Sequence, residues 1–141
     1  MCSSDLGSAR LPPVNLVTVL LRSTAAEPDA PAFIDGDRTV TYAELEALAA
    51  STAGSLARLG VTPGDRVAIA SGNDLAFVTT YLGALWAGAV AVPLNPQVPS
   101  SVIADELAQV EARVLVCGAA GAGHLGLPGA VAHDEIGRAH V

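Results

Sequence analysis

Leu82-Gly83-Ala84-Leu85-Trp86-Ala87-Gly88-Ala89-Val90-Ala91-Val92-Pro93-Leu94-Asn95-Pro96 changes its hydrophobic period partway through, and that change decides the fold. Leading into Trp86, the apolar positions Leu75, Val78, Leu82 and Leu85 fall at helical spacing, with Phe77, Tyr81 and Trp86 beside them. After an Ala-Gly-Ala corner the run becomes β-branched, and Pro93, which cannot donate to a central ladder, marks the strand's end. Gly88 supplies the backbone freedom such a corner needs. A strand apolar on both faces is expected in the middle of a helix-covered parallel sheet. The fold class is therefore α/β, a parallel sheet with flanking helices.

The alternation extends both ways. Upstream, Arg66-Val67-Ala68-Ile69-Ala70 is a buried strand, and Asn73 of the loop Ser71-Gly72-Asn73-Asp74 caps a helix over 74–87. Downstream, Ser100 or Ser101 caps a helix over 102–111, and Arg113-Val114-Leu115-Val116-Cys117 is a third strand. Strand, helix, strand, helix, strand with short loops implies parallel pairing. Further upstream, Thr41-Tyr42-Ala43-Glu44 is a capping box that opens a helix to about Leu59. Its inward face is Leu45, Leu48, Thr52, Leu56 and Leu59, and its outward face is Glu44, Ser51, Ser55 and Arg58. The runs 32–35 and 38–41 flank Gly36-Asp37 as a small β-hairpin whose turn Asp35 and Asp37 shape. Before it, Pro12-Pro13 punctuates the chain and Asn15 caps a helix over 16–25. Past Gly118 the pattern fades into Gly and Ala, with Gly129-Ala130-Val131-Ala132 beginning another strand.

The two ends read differently. Residues 1–6 and 135–141 match translations of a short-read sequencing adapter, and the two coding strings are near reverse complements. Residues 7–134 are accordingly expected to be the genuine stretch, an internal piece of a longer protein. The chain is 51% hydrophobic and 15% charged, enough to bury a core, and carries a net charge of −7. It has no lysine and no basic patch, which argues against nucleic-acid binding. Cys2 falls in the adapter-like end, leaving Cys117 as a small core residue in a strand, without a disulfide framework and in keeping with a cytoplasmic location. Nothing between Asp74 and Asp105 is formally charged, but Thr79, Thr80, Gly83, Gly88 and Pro93 and the change of period argue for helix plus strand over a membrane span.

Few residues look chemical. Gly121-Ala122-Gly123-His124-Leu125-Gly126 has the spacing of a dinucleotide fingerprint after a strand, so a Rossmann-like module using Gly121, Gly123 and Gly126 is one alternative. Leu127-Pro128-Gly129 breaks the helix that such a site requires, and a Gly/Ala loop is the favoured reading. Ser71 to Asp74 sits where open α/β sheets bind ligands, though turning the chain and capping a helix is the plainer role. His124 and His133 are expected to be solvated loop histidines, and Tyr42 and Trp86 packing aromatics. No catalytic, cofactor-binding or metal-ligating residue is assigned.

Two core segments resemble those of the adenylate-forming (AMP-binding) superfamily, which includes acyl-CoA synthetases, luciferases and peptide-synthetase adenylation domains. Val40-Thr41-Tyr42-Ala43-Glu44-Leu45 is similar to its first core motif, and Leu82 to Pro96 to its second. Gly60-Val61-Thr62-Pro63-Gly64-Asp65-Arg66-Val67 between them is similar to the family's G-[VI]-x-x-G-D-R-V turn, and the likeness covers about 15–117. Asn95 in Pro-Leu-Asn-Pro resembles acyl- and aryl-CoA ligases more than peptide-synthetase domains. The resemblance implies a partial N-terminal subdomain of a carboxylate–CoA ligase that uses ATP, Mg2+ and coenzyme A. The family's phosphate loop, magnesium residue, ribose-binding Asp and mobile lysine come later than this stretch, so the piece alone is expected to be inert and to bind none of these groups.

Overall fold

The computed structural model describes residues 15–138. Residues 1–6 and the Pro12-Pro13 pair lie outside that range. Helix α1 (Leu16–Ala26) is followed by a hairpin of β1 (Pro31–Asp35) and β2 (Arg38–Thr41), then α2 (Tyr42–Arg58). Two strand–helix steps and a third strand come next: β3 (Arg66–Ala70), α3 (Leu75–Trp86), β4 (Val90–Leu94), α4 (Ser100–Val110) and β5 (Ala112–Cys117). A 3-10 turn (Ala119–His124), β6 (Ala130–Ala132) and the short α5 (His133–Arg138) complete the described chain.

The sheet is parallel throughout, in the order β4-β3-β5-β6, and the hairpin stands apart as an antiparallel pair. Period two along β3 and β5 divides the core into layers. Val67, Ile69, Val114 and Val116 face Leu56 of α2, Ala84 of α3 and Ile136 of α5. Ala68, Ala70, Leu115 and Cys117 face Ile103 of α4. A third cluster joins Leu20, Val40, Leu45, Ala49 and Leu82, with Tyr42 and Trp86 packed against it as expected. Helix α3 thus serves two clusters, through Ala84 on one side and Leu82 on the other.

The quoted stretch splits where its period changes. Helix α3 ends at Trp86, Gly88 turns the corner with φ +76°, and β4 follows. None of the described helices is long and apolar enough to cross a membrane. The expected place of β4 was wrong. Among the described residues it lies at one end of the sheet, hydrogen-bonded to β3 only, with Val90 49% exposed; β3 and β5 hold the middle. Pro93 also lies inside the strand, opposite Ile69, a position that an edge tolerates because one side of the ladder is open.

Caps with local partners match the sequence. Asn15 accepts from the Val17 amide, and Thr41 and Glu44 form the reciprocal box. Two caps differ. Asp74, not Asn73, starts α3, because its carboxylate accepts from the Phe77 amide and from the Ser71 hydroxyl. Pro99 precedes α4 and neither serine caps it, because the Ser100 hydroxyl is engaged by His124. Ser55, expected outward, is buried and donates to the Ile136 carbonyl at 2.8 Å, while Leu59, expected inward, is exposed beyond the end of α2.

Candidate functional site

The carboxyl ends of β3, β5 and β6 open onto a cleft of about 340 Å³, where the loop after β3 turns toward one face of the sheet and the chain after β4 toward the other. Open α/β sheets bind ligands at such a crevice. Asp35 and Asp74 line it with Cys117, Ala122, Leu125 and His133. Asp35 was expected to shape its own turn; instead its Oδ2 accepts from the Leu75 amide at 3.0 Å, giving α3 a second N-terminal carboxylate from the hairpin. Two of the amides at that helix start, those of Leu75 and Phe77, are therefore already taken by acids. With Asp134 also on the wall, and neither arginine nor lysine there, these residues do not fit a triphosphate. Among the described residues, no group of three His, Cys, Asp or Glu could hold a metal ion.

Neither histidine floats in solvent. His133 Nε2 lies 2.9 Å from Thr79 Oγ1, and the Thr79 hydroxyl donates to the Ala76 carbonyl, so the imidazole is the donor. Burial holds His133 below the usual histidine range, against the pull of the Asp134 and Asp74 carboxylates. His124 is buried between Ser100 Oγ, 2.8 Å from Nδ1, and the Pro96 carbonyl, 3.1 Å from Nε2. Burial pushes the Cys117 thiol up, which leaves it a poor nucleophile. The cleft offers shape and negative charge but no nucleophile held by a base.

The Gly121 to Gly126 run does not open an α-helix. It closes into the 3-10 turn, and a Cβ at Gly121 would strike the Ala70 carbonyl, so that glycine permits packing of the turn on β3. A fingerprint glycine and a close-packing glycine are identical in sequence; only the helix-breaking Pro128 distinguished them.

The 60–67 turn and the Ala87-Gly88-Ala89 corner lie at the other end of the sheet, where β3 and β4 begin. The Gly64 amide donates to the Gly88 carbonyl at 2.9 Å and the Val90 amide to the Asp65 carbonyl at 2.8 Å, binding the 60–67 turn to the Ala-Gly-Ala corner. Asp65 also accepts from the Thr62 amide and hydroxyl, bonds that lower its carboxyl from the usual range. Asn95 accepts from the Gln97 amide through Oδ1, a bond an aspartate would make equally well. These residues build scaffold.

A family profile described as AMP-binding enzyme matches residues 20–139. The chain is 33% identical over 107 residues to the long-chain-fatty-acid–CoA ligase FadD13 of Mycobacterium tuberculosis, covering 74% of this chain and 21% of that protein. It is 39% identical over 99 residues to nonribosomal peptide synthetase 1 of Aspergillus fumigatus, covering 70% of this chain and 2% of that protein. Among solved structures, a benzoate CoA ligase of Burkholderia xenovorans superposes with a TM-score of 0.80 at 26% identity, over 90% of this chain and 29% of that one. The chain thus spans about a fifth or less of the length of these curated relatives.

Proposed function

The chain belongs to the AMP-binding enzyme family, and from that premise we propose that it is the N-terminal part of an ATP-dependent carboxylate–CoA ligase. The reaction would join a carboxylic acid to AMP with release of pyrophosphate, then pass the acyl group to coenzyme A. What carries the proposal is the profile match across 20–139, together with three motif segments in order, of which 60–67 and 82–96 bond to each other through their backbones. The CoA ligases among the solved neighbours and Asn95 favour this acceptor. The 39% identity to a peptide synthetase supports a second reading, an adenylation domain that passes its acyl group to a carrier-protein thiol.

On either reading the described residues supply scaffold, and no catalytic, magnesium or nucleotide role is assigned to any of them. ATP, Mg2+ and coenzyme A are proposed for the parent, in the cytoplasm, and for parts of it beyond these residues. The first experiment is to sequence the source DNA past the codon for Asp134 and to express the longer frame. A phosphate loop ending in lysine, followed by acid-dependent release of AMP and loss of free CoA thiol, is the expected outcome. A frame that closes at Val141, or acyl transfer only to a carrier domain, would overturn the ligase assignment.

A further inference from the structure

We propose that the Ala119–His124 turn is a two-faced lever that couples the contents of the cleft to the 96–100 loop through His124. The geometry of a 3-10 helix sets the two faces, because residues three apart eclipse. Ala119, Ala122 and Leu125 line the cleft. Gly121 and His124, on the other side, are buried.

The hydrogen bonds of His124 fix its state. The Pro96 carbonyl can only accept, so Nε2 carries a proton; in the neutral ring Nδ1 then accepts from the Ser100 hydroxyl. One ring joins the turn to both ends of the 96–100 loop. Ser100 is also the first residue of α4, which has no side-chain cap, so the bond ties the ring to the start of that helix. Gly121 already abuts the Ala70 carbonyl and blocks movement of the turn toward β3. A group pressing on Ala122 from the cleft must therefore displace His124 against Pro96 and Ser100. This coupling goes beyond the ligase reading and does not depend on it.

The test uses the 141-residue chain with 15N-labelled histidine and backbone. Long-range imidazole spectra are expected to show His124 with its proton on Nε2; a proton on Nδ1 would overturn the proposal. Ala122→Phe, which places a ring in the cleft, is expected to shift the Gln97, Val98 and Ser101 amides. The same substitution in a His124→Ala background is expected to leave those amides unmoved. Should His124→Ala fail to fold, Ser100→Ala removes one bond only and is expected to weaken the response, with Ser100→Thr restoring it. Loop amides that respond equally with and without these bonds, or that ignore Ala122→Phe in a folded chain, would refute the lever.

Discussion

Protonating His133 would place a charge on a partly buried ring whose Nε2–H is already used by Thr79. Because burial keeps its folded-state value below the unfolded one near 6.5, the neutral form stabilises the fold. The sign follows: this contribution is present above the unfolded value and is lost as pH falls through the lowered folded value. Urea midpoints measured at about pH 7.5 and about pH 5 should therefore drop on acidification by more in the native chain than in His133→Gln, where this titration is absent. Equal drops would show that the carboxylates account for all of it. At this scale legibility depends on how far away the partner is. Asn15, Thr41 and Glu44 act on amides within three residues and could be read directly. Asp35 acts 40 residues away and Ser55 acts 81 away, and nothing beside either residue in the chain announces those partners.

The contact between α2 and α3 depends on a missing side chain. A Cβ on Gly83 would lie 2.6 Å from Thr52 Cγ2 and 3.2 Å from the Ala49 carbonyl, so the two helices meet closely at that point. Gly83→Ala is a helix-favouring change that should nevertheless destabilise the fold by about 1–3 kcal/mol. Gly123→Ala, which meets nothing within 4 Å, is the control and should stay within about 0.5 kcal/mol in the same denaturant titration. At the start of α2, Thr41→Ala removes one half of the capping box and should cost about 1 kcal/mol, read as a lower midpoint with an unchanged slope. Period and caps made the elements themselves legible. The inward and outward faces of α2 were less so, because α5 packs on a side that a single apolar stripe would leave to solvent.

For the whole molecule, the sheet class could be read from the order of elements, but the strand order could not. Apolar runs mark β3, β4 and β5 as similar, and only the register shows that β4 takes the edge. The outer side of β4 has no strand partner among the described residues, and Val90 is exposed there. An open apolar edge invites pairing with another chain. Val90→Lys should accordingly raise the monomer fraction in sedimentation at high protein concentration while leaving the thermal midpoint nearly unchanged. If self-association is unaffected, the contact lies elsewhere. The cleft was partly legible: the Ser71 to Asp74 loop was placed at a strand's carboxyl end, whereas the wall formed by Asp35, the 3-10 turn and His133 comes together only through tertiary packing.

The order β4-β3-β5-β6 also sets a timetable. The central strand is made first, and its partner on the β5 side follows roughly 50 residues later. At about 5–20 residues per second on a ribosome, β3 would wait about 2–10 s with that side unpaired. During synthesis the most buried strand of the finished sheet is thus the one longest exposed to neighbouring nascent chains. Pauses in translation between β3 and β5 would lengthen this interval, lowering the yield of folded protein without altering its final stability.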